Sequence, residues 1–417
     1  MKHSRRSFLG TGLGAGLALP ALVPASSTLR SLSQVSVSED SFENSSLDDS
    51  FFDPWVEISR ENLEHNVLEI SRRTGGRPIF AVIKNNGYGT GVTNVASVLE
   101  SRPEVFGFAV VKLHEAMSLR DVGVRKPILL LGPFDEKNLA DAARRSIMPI
   151  VYMPLGPALD RIAAKLQRPV SVHICIDTGI GRVGVPYYQA APLIRDMAAR
   201  KSARIQGTMM TFTEDPDFDK EQLRRFSETC ASLESEGIAL GKKHAASSFA
   251  LFQHPDSFFD MVRPGMAIYG IYSENEFRHT GVLDLRPAIS LKSRVIYVKK
   301  LRKGDRSGYE RVYKAKEEVW VATVPVGHAD GWPRTTVKGA KIRVNGEMYP
   351  VVAISASHSI LEIGREARVK IGDIATCFDN QAGSRPEDVS ESCGASVYDL
   401  TMHLNALLPR RVVGAIG

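Results

Sequence analysis

The chain has 417 residues, 43% hydrophobic and 24% charged, the profile of an ordinary globular protein long enough for two cores. A net charge of +6 over this length leaves no nucleic-acid footprint. Four scattered cysteines (Cys175, Cys230, Cys377 and Cys393) without a CxxC pair exclude a disulfide scaffold.

In chain order, the first segment is a targeting signal. "SRRSFLG", Ser4–Gly10, resembles a twin-arginine export motif. The apolar run from Phe8 to Val23 is short for a bilayer span and is diluted by Gly10, Gly12, Gly14 and Gly16. Small residues at 23–25 suit cleavage, so residues 1–25 are expected to be removed and the protein exported to the periplasm. Residues 26–52, rich in serine and acids, predict a disordered linker.

From residue 53 strands and helices alternate. "WVEIS" (55–59) reads as a strand, and 60–73 carries Leu63, Val67 and Ile70 at helical spacing. "PIFAVIK" (78–84), "VFGFAVV" (105–111), "KPILLLG" (126–132), "MPIVYM" (148–153), "VSVHICID" (170–177) and "ARIQGTMM" (203–210) are apolar strands with helical stretches between them. Strands apolar on both faces imply a covered parallel sheet. About eight strand–helix units before residue 275 favour a closed (β/α)8 TIM-like barrel over residues 53–280. Residues 281–417 then read as a mostly β domain with turn signals such as Asn345-Gly346, helix returning only at about 396–407.

Chemistry in such a barrel sits at the C-terminal strand ends. Lys84 closes "PIFAVIK" at that face. It is either a lysine snorkelling to solvent or a desolvated amine kept for nucleophilic work.

Taken together, the motifs carry a resemblance. "AVIKNNGYGTG" (81–91), "HEAMSLRDVGVRKPILLLG" (114–132), "VHICIDTGIGRVG" (172–184), "HAASSFALF" (244–252), "MVRPGMAIYG" (261–270), "GYERVY" (308–313) and "VPVGHADGWPR" (324–334) resemble, in order and at compatible spacing, those of the alanine racemase family over residues 53–414. The resemblance implies a pyridoxal 5'-phosphate-dependent amino-acid racemase (an isomerase), acting as a homodimer with shared sites. Lys84 would hold the cofactor through its amine and carry one proton. Tyr309, reaching in from the partner's β domain, would carry the other. Arg182 would favour the tyrosine's anion and bind substrate with Ser357. Arg263 would face the cofactor's ring nitrogen. Tyr88, Ser248, Gly265 and Met266 would hold its phosphate.

Departures from the family pattern bear on the substrate. Cys175 stands where a lysine is usual, Thr211 for a histidine, Ser247 for an asparagine and His328 for a tyrosine. Ser357 and His358 replace Met-Asp, and a C-terminal tyrosine is missing. The expected pocket is therefore not the small alanine pocket. A lyase or decarboxylase on the same scaffold, or a non-catalytic binder of the cofactor or amino acids, are the alternatives. His328, His358 and Cys377 match no metal-ligand spacing. Pairing of Cys377 with Cys393 stays open.

Overall fold

A computed structural model of the chain describes residues 52–414. The expected signal, nearly all of the expected linker and the last three residues lie outside them. Among the described residues no helix is long and apolar enough to cross a membrane.

Seven parallel strands form the barrel wall in chain order: Ile79–Val82, Val105–Val110, Ile128–Leu130, Ile147–Val151, Val170–Asp177, Ala203–Met209 and Lys242–His244. Ile79–Val82 and Ile147–Val151 are buried at every position, as expected of strands covered on both faces. The eighth place is taken by an extended segment at 261–264. It receives bonds from the first strand (Phe80 N to Val262 O and Val82 N to Pro264 O, both 2.9 Å) and reaches the last wall through Arg263 N to Ala246 O (2.8 Å). Pro264 cannot donate to a ladder, so the segment closes the barrel without forming a full strand.

The expected first unit lies elsewhere. Trp55–Ser59 joins the second sheet, antiparallel to Ile289–Arg294 and parallel to Arg410–Val413. That sheet has nine strands. Its strands Ile289–Arg294 and Ser359–Gly364 alternate buried and half-buried positions, the period-two signature of a one-sided sheet. Asn345 and Gly346 both take positive φ (51° and 84°), the paired left-handed geometry of a two-residue hairpin turn. Helix returns earlier than the sequence suggests. Pro386–Cys393 is helical, opened by proline in its first turn and by Asp388 Oδ2 accepting from Arg385 N at 3.1 Å. The terminal helix is only Val397–Met402.

These last elements fasten the two halves together at the end of the first barrel strand. Arg410 Nε donates to Gly89 O at 2.9 Å, and Asn85 Nδ2 lies 3.6 Å from Met402 Sδ. Gly89 has φ 92°, and a Cβ there would fall 2.0 Å from Thr401 O, so only glycine permits this approach.

Candidate active site

Strand Ile79–Val82 runs out at Ile83, whose amide donates to Ala109 O (2.9 Å). The backbone then turns left-handed over Asn85, Asn86, Gly87 and Tyr88 (φ 54°, 55°, 60° and 53°). Asparagine and glycine tolerate this region best, whereas tyrosine is strained there, and strain of this kind gathers at functional sites. Glu115 holds the turn in place. Its Oε1 accepts from Asn86 N at 2.7 Å and its Oε2 from Lys112 N at 3.2 Å, with the carboxylate buried.

Lys84 therefore stands at the barrel mouth. Burial pushes its amine below the usual lysine range; Arg182 and Arg263 push the same way, while Glu214 and Glu115 oppose them. Its Nζ lies 5.9 Å from the Tyr88 ring centre.

Across the mouth, Ser248 Oγ accepts from Gly265 N (3.0 Å) and Ala267 N (3.1 Å). A Cβ on Gly265 would fall 2.3 Å from the Tyr88 hydroxyl. Tyr88 is buried, and burial raises its hydroxyl well above an ordinary phenol. Met266 is buried in the same wall. Ser247 Oγ is buried without a partner. Such orphaned groups are costly unless a ligand or water completes them.

Arg263 occupies the barrel interior as the first link of a polar relay. Its Nη1 donates to His244 Nδ1 at 2.9 Å, and its Nη2 to Met210 O at 2.9 Å and to Thr211 Oγ1 at 3.4 Å. His244 Nε2 sits 2.9 Å from His173 Nδ1. A guanidinium can only donate, so His244 Nδ1 is bare and its Nε2 proton goes to His173. Both imidazoles are held neutral: burial, then Arg263, drives His173 down to about 3 and His244 well below its usual value. Burial also lowers Arg263, to about 10, which leaves it charged at neutral pH.

The 177–184 loop carries the expected substrate arginine. Asp177 Oδ1 accepts from Gly179 N (2.8 Å) and Gly181 N (3.2 Å), and a Cβ on Gly184 would fall 2.6 Å from Asp177 N. Arg182 is exposed and joined to none of the described residues by a hydrogen bond or ion pair. Cys175 is buried beneath it, with burial raising its thiol to about 11. All four cysteines are buried and unpaired.

Lys84, Tyr88, Arg182, Ser248, Arg263, Gly265 and Met266 thus share one end of the barrel. Tyr309 and Ser357 do not join them within the chain. Tyr309 is 78% exposed in the loop of a separate two-stranded hairpin (Arg306–Ser307 with Tyr313–Lys314), with left-handed Glu310 and Arg311 (φ 56° and 58°). It lines a cavity of about 300 Å³ with Gly308 of the same hairpin, with Thr323 and Ala353 of the nine-stranded sheet, and with His358 of the turn after Glu347–Ile354. Ser357 Oγ lies beside it, 3.2 Å from His358 Nδ1.

Sequence profiles described as "Alanine racemase, N-terminal domain" and "Alanine racemase, C-terminal domain" match residues 58–273 and 288–412. The alanine racemase of Desulforamulus reducens is 32% identical over 369 residues, 86% of this chain and 99% of that protein. The chain belongs to the alanine racemase family. The alanine racemase of D-cycloserine-producing Streptomyces lavendulae superposes with a TM-score of 0.82 at 25% identity, covering 88% of this chain and 98% of that one. That of Bacillus anthracis with bound L-Ala-P gives 0.78 at 29%, covering 87% and 96%. As a member of this family the chain is a pyridoxal phosphate-dependent racemase.

The mouth fits that cofactor. It offers a desolvated amine, a cradle at Gly265 that a side chain would fill, and an orphaned hydroxyl at Ser247. Sequence reasoning passed over Glu115, His173 and His244. Glu115 lies three residues after Lys112 at the start of helix Leu113–Asp121 and takes the Lys112 amide; this is half of a capping box, and a lysine in place of the Ser or Thr of the full pattern hid it. His173 and His244 sit inside quoted motifs, but nothing local shows that they meet.

Proposed function

We propose that this racemase interconverts L- and D-amino acids with two opposed proton carriers, Lys84 and Tyr309 of the partner subunit, in a closed two-fold dimer. The observation carrying this reading is a mismatch within one chain. The barrel mouth holds a desolvated amine, while an exposed tyrosine stands on a separate two-stranded hairpin, bonded through its hydroxyl to none of the described residues. A two-fold axis repairs both sites at once, because each subunit gives and receives the same residue.

The cofactor, when bound, withdraws electrons from the substrate's Cα and so acidifies its proton. Lys84, its proton affinity lowered by burial and by two guanidinium groups, holds or releases a proton on one face. A free phenol has a pKa of about 10 and is a weak base at neutral pH. Arg182, unpaired on the same rim as Lys84, is the cation that would favour the tyrosine's anion and receive the substrate carboxylate. Ser357 would border the substrate from the partner's side. Arg263, fixed by His244 and Met210, would face the ring nitrogen as a donor only, since a guanidinium charged at neutral pH has no proton to surrender. Tyr88, Ser248 and the backbone at Gly265 and Met266 would hold the phosphate.

The leader at 1–25 supports export to the periplasm after folding. The substrate includes amino acids other than alanine, because Cys175, Thr211 and Ser357 alter the lining.

Subunit mixing tests the reading. Lys84→Ala should abolish both turnover and the borohydride-fixed cofactor. Tyr309→Phe should keep the fixed cofactor and lose turnover. Heterodimers of the two variants should regain activity, since one of their two sites is intact. Verified heterodimers without activity would remove the shared site.

A further inference from the structure

Arg182 is exposed and unpaired, so its place is set by the backbone that carries it. That loop rests on one face of helix Pro216–Ser235, through Phe218, Gln222 and Arg225 at helical spacing. Arg225 Nη1 donates to Thr178 O at 2.8 Å, with its guanidinium 4.7 Å from the Tyr187 ring centre and 5.3 Å from that of Phe218. A Cβ on Gly179 would fall 2.6 Å from the Phe218 ring, so the loop lies directly on the helix.

Gln222 is the buried centre of this contact, and all four bonding positions of its amide are taken. Its Nε2 donates to Thr178 Oγ1 and to Thr211 O, both at 3.1 Å. Its Oε1 accepts from Thr213 N at 2.8 Å and from Thr213 Oγ1 at 3.2 Å. None of these partners belongs to its own helix. Thr178 begins the loop that carries Arg182, directly after strand Val170–Asp177. Thr211 belongs to the loop that seats Arg263, whose Nη2 donates to Met210 O (2.9 Å) and Thr211 Oγ1 (3.4 Å). One side chain therefore joins the loops of two guanidinium groups. Buried Asp219, one turn earlier, holds Thr213 independently: its Oδ1 accepts from Thr213 N and Oγ1 (3.1 and 2.8 Å). Without Gln222, Thr213 keeps that partner, whereas Thr178 Oγ1 keeps only the Met210 sulfur at 3.4 Å, a weak acceptor.

We infer that Gln222 is a positioning residue of this racemase: by clamping the Thr178 and Thr211 loops together, it fixes the loop of Arg182 against the loop of Arg263 and so sets where the substrate carboxylate is received. The inference rests on the role proposed above for Arg182. A carboxylate met by a displaced guanidinium loses a charge-assisted hydrogen bond, about tenfold or more in affinity.

The test uses the cofactor-loaded protein with alanine as substrate and active sites counted by borohydride fixation. KM, kcat and α-proton exchange from each enantiomer are measured per active site. Gln222→Met keeps length and apolar packing and removes all four bonds. Its KM should rise about tenfold or more, and exchange should fall more from the L- than from the D-enantiomer, because Arg182 also serves the tyrosine. Amide hydrogen exchange over residues 177–184 should quicken with it. Thr178→Val removes the clamp from the loop side without touching the helix and should reproduce these changes. Thr178→Ser keeps the hydroxyl and should restore the wild-type values; this pair carries the test if Gln222→Met does not fold. Variants that only lower the melting temperature, with KM and the L-to-D exchange ratio at wild-type values, would overturn the proposal and leave Gln222 a packing residue. Arg182→Ala is the reference. If it changes neither quantity, the role of Arg182 fails and this inference falls with it. A change in Arg182→Ala without one in Gln222→Met or Thr178→Val removes this inference alone.

Discussion

The barrel mouth and the Tyr309 hairpin are built on opposite principles. At the mouth three polar groups are buried and held twice: Glu115 by two amides, Ser248 by two amides, and Arg263 by an imidazole and a carbonyl. On the hairpin, Tyr309 and Val312 are exposed, two left-handed residues strain the backbone, and the neighbouring polar contacts lie at the surface. A pocket organised like the mouth can hold a cofactor without help. A surface organised like the hairpin acquires meaning only against something else, and in the dimer reading that is the partner's mouth. The two regions should therefore respond differently to substitution: the hairpin in chemistry alone, the mouth in cofactor binding and folding as well.

The largest effect belongs to the hairpin. Tyr309→Phe removes one exposed hydroxyl, so its melting temperature should stay at the wild-type value. A positioned proton carrier contributes about 10²–10⁴-fold. Exchange of the α-proton with solvent deuterium should accordingly collapse from the L-enantiomer and survive from the D-enantiomer, as followed by mass spectrometry. Near-normal racemisation in this variant would erase the contrast, leaving Tyr309 a surface aromatic.

Next comes the cradle. Gly265→Ala places a methyl 2.3 Å from the Tyr88 hydroxyl, and Tyr88 is closed in by Tyr269 with ring centres 5.0 Å apart. Overpacking of this sort costs about 1–3 kcal/mol. Stability should fall by that amount in urea, and cofactor affinity should fall with it in an equilibrium titration. A variant that melts normally and still binds the cofactor as tightly would show that the mouth is looser than its contacts indicate.

Much of this was legible in the sequence, and the parts that were not have physical reasons. The barrel strands announce themselves as apolar runs, and Asn345-Gly346 as a turn. Trp55–Ser59 could not be assigned to a sheet, because its strand pattern is silent about partners more than 200 residues away. The closing segment at 261–264 carries an arginine and a proline where a strand signal would be apolar. Seven of the nine site residues proposed from sequence gather at the mouth, because their motifs end barrel strands or begin the loops that follow. Tyr309 and Ser357 lie outside the barrel, one in the loop of the two-stranded hairpin and one in the turn after Glu347–Ile354, and no local pattern says what they face. The relay of Arg263, His244 and His173 joins segments remote in sequence. Periodicity has no access to such meetings.

The smallest expected effect sharpens the comparison most, because it separates charge from packing at the mouth. Glu115 accepts two backbone amides, one on each carboxylate oxygen. Glu115→Gln keeps the shape and one accepting oxygen, so one amide stays bonded and the other faces an amide nitrogen that cannot accept. The net loss should be about 1 kcal/mol in denaturant unfolding. The negative charge also matters to Lys84, since Glu115 is one of two carboxylates that oppose the lowering of its amine. Removing that charge must lower the amine's proton affinity further. The fraction of free amine at a given pH then rises, and the half-point for labelling Lys84 with an acetylating reagent in cofactor-free protein should move to lower pH, measurable residue by residue by mass spectrometry. Tyr309→Phe, whose hydroxyl is remote from Lys84 within one chain, should leave that half-point alone in dissociated monomers. If Glu115→Gln softened the fold without moving the labelling curve, the carboxylate would be only a brace for the left-handed turn. A shift larger than the stability loss would mean that the charge at Glu115 tunes the amine on which the cofactor depends.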